Sequence, residues 1–221
     1  MSEPAFAVDG FALVAQVLSV EECTQAGREV QAGAVGTRCM LSQHWCRALA
    51  ARLRAHPALA AIIATDLVAV QCTSFAKSAD RNWLVPMHQD LSIPVAARVD
   101  GAGLSGWSMK EGIQFVRSPV EVLSQLVAVR IHLDSCGTSD GPLRVVPRSH
   151  MQGILSDGQA IALRAACGET GCVAPAGSAL VMRPLLLHAS SRGNGSSARR
   201  VLHFVFGPRD LPHGLTWHTA L

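Results

Sequence analysis

Tyrosine is missing from this 221-residue chain altogether, and no functional class follows from that. Other absences exclude more. No Cys-x-x-Cys pair occurs, and the seven cysteines are irregularly spaced. Scattered single thiols fit a reducing compartment better than a disulfide framework. There is no dense Lys/Arg block. Arg199-Arg200 is the one adjacent basic pair, and a net charge of +3 with a pI near 8.6 is too mild to argue for nucleic acid. The longest apolar runs, such as Ala58 to Ala64, are far too short to span a bilayer. Glu3 and Asp9 stand near the start with no basic stretch before an apolar run, so a secretory signal is not expected. No internal repeat or low-complexity tract occurs. The expectation is a soluble cytoplasmic protein with no membrane or nucleic-acid partner; its oligomeric state stays open.

What is present describes one ordered domain, with 49% hydrophobic and 16% charged residues. Asp9-Gly10 reads as a turn into a strand at Phe11. Ser19-Val20-Glu21-Glu22 is a capping box, which predicts a helix from Val20 to about Ala32 with Gly33 ending it. After a loop from Gly36 to Cys39, Ser42 is a second candidate cap. Trp45, Leu49 and Leu53 then recur at helical spacing, and Pro57 can open a further short helix through Ile63. From Asp66 the period changes to that of strands. Leu67 to Lys77 is one long strand with Gln71, Thr73, Phe75 and Lys77 on a single face. Further strands are expected over Gln125 to Leu133, Ala179 to His188 and Arg199 to Phe206. Pro184 inside the third argues for an edge or a bulge. Asp157 is a candidate cap for a short helix to Ala166, and Ser190 to Ala198 is a polar connection. Arg98 to Ser118 is Gly-rich without a clear period, and it reads as a long functional loop, a lid. Helices first and strands after give an α+β order with a mainly β core, a sandwich or jelly roll.

The chemistry concentrates in Asn82-Trp83-Leu84-Val85-Pro86-Met87-His88-Gln89-Asp90. Residues two apart on a strand share a face, so His88 and Asp90 project together. Most His-x-Asp tripeptides are a loop histidine beside a capping aspartate. A distant second imidazole would turn this pair into a 2-His-1-carboxylate face, which suits non-haem Fe(II). His188, at the end of Leu185-Leu186-Leu187, is the candidate, and Ser190 shares its face. Arg199 follows His188 by eleven residues. It reads either as a surface arginine at a turn or as a bidentate partner for a buried carboxylate. Both faces of its strand are apolar, so parity does not choose between Arg199 and Arg200. His44, His56, His213 and His218 are expected at the surface, and His132 and His150 are expected to be structural.

His88-x-Asp90, His188 and Arg199, together with Arg130-Ile131-His132-Leu133-Asp134 and Gly141-Pro142-Leu143 through Pro147-Arg148-Ser149-His150, resemble the phytanoyl-CoA dioxygenase-like branch of the Fe(II)/2-oxoglutarate oxygenases. The resemblance covers roughly Asp66 to Gly207. It implies a double-stranded β-helix, cupin-like, flanked by N-terminal helices: one domain over 1–221, with a helical flank at 1–65, a jelly-roll core at 66–207 and the lid at 98–118. It implies Fe2+ on His88, Asp90 and His188. It also implies 2-oxoglutarate on Arg199 and Ser190, with Gln71 and Lys77 lining the same pocket. O2 and a small organic molecule would be the partners, and a C–H bond would be hydroxylated. Lys77, Lys110, Arg117, Arg130 and Arg144 offer positive charge for an anionic substrate. Trp83, Trp107, Arg117 and Arg130 are the candidate substrate contacts. Asp90 argues against the halogenase variants, which lack the carboxylate. Arg148 is a departure, since the family often has glycine there. A cupin-type iron enzyme without 2-oxoglutarate and a non-catalytic jelly-roll binding protein are the alternatives; Arg199 speaks against the first, and retention of the whole set speaks against the second.

Overall fold

The computed structural model describes residues 3–32, 37–78, 82–101, 104–193 and 199–221. Gly33, Gly36 and residues 194–198 of the polar connection lie outside the described residues. Helix α1 (Glu3–Asp9) turns at Gly10 into β1 (Phe11–Val14). Gly10 has φ +81°, and a Cβ there would sit 2.3 Å from Nδ1 of His150, so the turn needs glycine twice over. The capping box forms as expected. Ser19 N–H donates to Glu22 Oε2 at 2.7 Å and Glu22 N–H to Ser19 Oγ at 3.3 Å, which starts α2 (Val20–Ala32). Ser42 caps nothing. It closes a short 3-10 turn, and Gln43 precedes α3 (His44–Ala55). Pro57 opens α4 (Pro57–Ala60), which ends before Ile63.

The strands are β2 (Leu67–Lys77), β3 (Val85–His88), β4 (Ser92–Val95), β5 (Ser105–Lys110) and β6 (Ile113–Arg117). After the short α5 (Val120–Leu123) come β7 (Val127–His132) and β8 (Leu143–Val145). Ser156 then caps α6 (Asp157–Cys167), a role the sequence had suggested for Asp157. β9 (Thr170–Cys172), β10 (Ala179–Met182), β11 (His188–Ser190) and β12 (Arg199–Pro208) complete the chain. They form a five-stranded sheet β1-β10-β7-β12-β2, a four-stranded sheet β3-β11-β8-β9 and a three-stranded sheet β4-β6-β5. The two larger sheets are the walls of a jelly roll.

Packing explains why both faces of β12 are apolar. Leu202, Phe204 and Phe206 belong to the core between the five-stranded sheet and helices α2 to α4, with Cys23, Cys46, Leu53 and Leu59. Burying each phenylalanine stabilises the fold by about 1.5–3 kcal/mol. Arg199, His203 and Val205 face the interior of the roll. Leu143, Val145, Leu180, Met182 and Leu186 fill the space between the sheets.

Two further expectations change. Ala179 to His188 is not one strand. The chain leaves the large sheet after Met182, turns through Pro184 and enters the opposite sheet at His188. The proline, without an N–H, takes the corner, and its carbonyl accepts from Asp90 N–H at 2.9 Å. Arg98 to Ser118 is not a structureless loop; its residues 102 and 103 lie outside the described residues. Most of it is the β5–β6 hairpin, with Glu111 (φ 52°) and Gly112 (φ 77°) at the turn. A register shift between Ser105 and Ser108 breaks the alternation there. Arg148 stands at φ 66°, in the left-handed region, which accounts for a glycine preference at that place. Its N–H is held by Asp9 O at 3.0 Å.

Candidate active site

β11 places His188 directly opposite His88 on β3, with ring centroids 4.2 Å apart. Asp90 follows two residues after His88. Gln89, between them, points the other way and is pinned. Its amide donates to Gly153 O at 2.8 Å and Leu185 O at 2.6 Å, and its carbonyl accepts from Leu155 N–H at 2.9 Å. That anchor turns both flanking side chains inward. One donor atom from each of His88, Asp90 and His188 lies within 4.8 Å of the others. Asp90 Oδ1 is 3.6 Å from His88 Nε2, and Oδ2 is 3.7 Å from His188 Nε2. These gaps are too long for hydrogen bonds, and they leave space between the donors for an ion.

The ring orientations fit a metal. Nδ1 of His88 lies 2.8 Å from Pro86 O, and Nδ1 of His188 lies 2.8 Å from Leu186 O. Each Nδ1 therefore carries the hydrogen, and each Nε2 presents its lone pair inward, the arrangement that outer-shell partners impose on ligating histidines. Burial and the nearby His88 push His188 down to about 4 despite Asp90, so it is neutral near pH 7. Burial alone would raise Asp90, but His188, His88 and His203 outweigh it and hold the carboxyl below its usual range. His188 and Asp90 are thus deprotonated; burial lowers His88, but Asp90 and the Pro86 carbonyl outweigh it and raise it, so an incoming cation competes with a proton there. His88 and Asp90 are about two-fifths exposed while His188 is buried, so the face opens into a cavity of about 410 Å³.

A second group lies deeper in that cavity. Arg199 on β12 pairs in register with Lys77 on β2, and both are buried. Lys77 Nζ donates to Ser190 Oγ at 3.1 Å and Ser191 O at 2.9 Å, and sits 5.3 Å over the Trp83 ring. Burial, then Arg199 and Arg130, lower Lys77 to about 8. Arg199 reaches the carbonyl of Gly141 and, at 3.7 Å, Cys136 Sγ. Its Nε, like that of Arg130, is buried without a hydrogen-bond partner among the described residues. Arg200 takes the opposite face and forks onto Asp134 at 2.7 and 2.8 Å. Burial and Arg199 bring Arg130 down to about 10. Among the described residues lining the cavity, Asp90 is the only acid against Arg38, Lys77, Lys110, Arg130 and Arg199. Buried donors without partners and an excess of positive charge are what an anion-binding pocket requires.

The structure gathers His88, Asp90, His188, Arg199, Ser190, Gln71, Lys77, Trp83 and Arg130 around one cavity. It leaves out two candidates. Trp107 packs half-buried against the core under the three-stranded sheet, with Arg98 over its ring. Arg117 ends β6 exposed to solvent. Arg144 is engaged by Glu169 at 2.8 Å. His56 is half-buried, with Nδ1 enclosed, rather than fully at the surface. The sequence reading missed Arg38, whose loop has no period, and His203, which looks like any polar residue in an apolar strand.

The roll and its His-Asp-His face define the class: a jelly-roll protein with a 2-His-1-carboxylate metal site. The phytanoyl-CoA dioxygenase family matches residues 6–201. The chain belongs to that family of Fe(II)/2-oxoglutarate oxygenases. A comparison with curated protein sequences finds no significant match. Among solved structures, the chain is similar to SnoK, a non-heme alpha ketoglutarate dependent carbocyclase from nogalamycin biosynthesis, at 15% identity and TM-score 0.68, covering 100% of this chain and 93% of that one. SnoN, an epimerase from nogalamycin biosynthesis, aligns at 16% identity and TM-score 0.65, covering 96% and 88%. HygX from Streptomyces hygroscopicus, solved with nickel and 2-oxoglutarate bound, aligns at 15% and 0.65, covering 94% and 87%. At these identities the likeness establishes the fold.

Proposed function

We propose that this chain is an Fe(II)- and 2-oxoglutarate-dependent oxygenase that hydroxylates a C–H bond of a small anionic substrate. The carrying observation is one cavity that holds both the His88/Asp90/His188 face and the buried Arg199–Lys77 pair. When bound, iron with 2-oxoglutarate supplies the oxidising power for an unactivated C–H bond, which no protein side chain has. His88, Asp90 and His188 would hold the metal, and all three border the cavity. Arg199, with Lys77 and Ser190, would hold the distal carboxylate of 2-oxoglutarate, and Gln71 lines the same cavity. A guanidinium would grip that carboxylate at two points and so orient the co-substrate within the cavity. The spare Nε of Arg130 and the ammonium of Lys110 remain for an anionic substrate, with Trp83 as an apolar wall. The β5–β6 hairpin, through Lys110 and Phe115, covers the cavity and acts as the lid.

SnoK and SnoN are a carbocyclase and an epimerase, so the same fold serves other outcomes; product analysis must identify the new bond. The test is a screen of anionic metabolites for succinate release in the presence of Fe(II) and 2-oxoglutarate. Stimulated release with an oxygenated product supports the proposal. Iron-dependent oxidation of a screened compound without consumption of 2-oxoglutarate would instead favour a cupin-type iron enzyme.

A further inference from the structure

Three imidazoles converge on Asp90. His203 Nε2 lies 3.9 Å from Asp90 Oδ2, almost as near as His188 Nε2 at 3.7 Å. What separates the three rings is the partner of the other nitrogen. Nδ1 of His88 and of His188 meets a backbone carbonyl, which only accepts. Nδ1 of His203 lies 3.2 Å from Arg130 Nη1. A guanidinium only donates, so this nitrogen must be the bare acceptor. The single hydrogen of a neutral His203 ring is then on Nε2, the atom facing Asp90. An imidazolium would set an N–H against the guanidinium.

Arg130 is well placed to impose this. β7 and β12 pair Arg130 directly opposite His203. The guanidinium packs 5.5 Å over the Phe75 ring, and that ring meets His203 edge-on at 6.1 Å. Both Arg130 and His203 are buried, so water does not compete for the contact.

We infer that Arg130 locks His203 as a neutral N–H donor aimed at Asp90, which makes the third imidazole a positioning residue for the carboxylate and keeps it out of the metal ligand set. The inference rests on the metal centre proposed above. The 3.9 Å gap exceeds a hydrogen bond, so in this structure the N–H orients the carboxylate as a dipole. The lock also decides what kind of site this is. With Nε2 protonated, three histidines and one carboxylate present two histidine ligands rather than three. Outer-shell partners of this sort change metal affinity by about 10–100-fold.

Two measurements test it. Long-range proton–nitrogen correlation NMR on the 15N-labelled protein reads the tautomer of each ring, with His203 assigned by its loss in H203F. The expected result is an Nε2-protonated His203 beside Nδ1-protonated His88 and His188, with the His203 pattern redistributed in R130M. An Nδ1-protonated or doubly protonated His203 would overturn the lock. Anaerobic Co(II) titration then reads the metal. H203F should weaken binding about tenfold, and H203Q, which keeps an N–H donor, should recover most of it. Unchanged affinity in H203F overturns the positioning role. Loss of all binding in H203F without recovery in H203Q makes His203 a ligand and also overturns it. If the wild-type protein itself takes up no cobalt, the metal centre falls and this inference with it; wild-type binding with a failed variant series removes this inference alone.

Discussion

Arg199 and Lys77 face each other across the β12–β2 ladder, both buried, while the neighbouring Arg200 forks onto Asp134 on the other side of the sheet. The two arginines therefore lie on opposite faces of the sheet, and on the proposed function only Arg199 meets 2-oxoglutarate. Removing one partner of a desolvated charge pair costs roughly 2–5 kcal/mol, and about 1.4 kcal/mol is tenfold. Arg199→Ala should weaken 2-oxoglutarate binding by at least about an order of magnitude and leave iron binding intact. Arg199→Lys should recover part of the loss, because an ammonium makes no planar two-point contact. Arg200→Ala should leave 2-oxoglutarate affinity almost unchanged. Calorimetric titration of the three variants checks the order; loss of binding in Arg200→Ala alone would reverse the assignment.

His188 is the ligand candidate most enclosed by the fold. Replacing it with alanine should abolish iron retention and 2-oxoglutarate turnover together. Metal analysis after desalting reads the first and succinate release the second. An H188A protein that keeps one equivalent of iron at wild-type affinity would contradict the site.

Lys77 should give 2-oxoglutarate binding a pH dependence. Burial and two neighbouring arginines lower its proton affinity to about 8 in the free protein. The charged form binds the anion, so affinity should be steady below pH 8 and fall as pH rises through that value. Lys77→Met should bind more weakly and lose the decline. Binding isotherms from pH 6.5 to 9.5 would show it, and a wild-type profile as flat as the variant's would count against Lys77.

His132 links pH to stability. It lies buried beside Arg130 and Arg199, and burial first, then those two charges, take it from 6.5 down to about 3. The unfolded chain therefore binds this proton more readily than the folded one. Stability from the neutral ring is fully present above pH 6.5 and is lost as pH falls toward 3, at up to about 1.4 kcal/mol per pH unit. Urea unfolding at pH 7 and pH 5 should show that His132→Leu loses less stability on acidification than wild type. An equal loss in both proteins would contradict the linkage.

The β5–β6 hairpin is tied down at its tip. Glu111 accepts from Thr37 Oγ1, Arg38 N–H and Arg38 Nη1 at 2.7–2.9 Å. The ion pair is a third exposed, so it contributes only about 0.2–1 kcal/mol. Glu111→Ala should leave global stability nearly unchanged and speed proteolysis within the hairpin, and iron with 2-oxoglutarate and substrate should protect it. Mass spectrometry of the first fragments tests this; cleavage elsewhere first, with or without ligands, would remove the lid role.

Much of this was legible in the sequence because local physics and tertiary context agree. The Ser19–Glu22 box and the alternation of β2 need no distant partner. The His88/Asp90/His188 set was legible once a strand spacing and a distant histidine were read together. The rest depends on register. Parity could not choose between Arg199 and Arg200, because one face of β12 packs on helices and the other lines the roll. His203 gained meaning only when β7 brought Arg130 opposite it. The hairpin was hidden by the shift between Ser105 and Ser108, and the corner at Pro184 by an apolar run that crosses between two sheets.

The most direct test of the central claim is anaerobic. Fe(II) is added to the metal-free protein, then 2-oxoglutarate, while the visible spectrum is followed. A metal-to-ligand charge-transfer band should appear only with both, saturate at one equivalent of each, be absent in H188A and require more 2-oxoglutarate in Arg199→Ala. Iron that binds at one equivalent while 2-oxoglutarate leaves the spectrum unchanged would contradict the account.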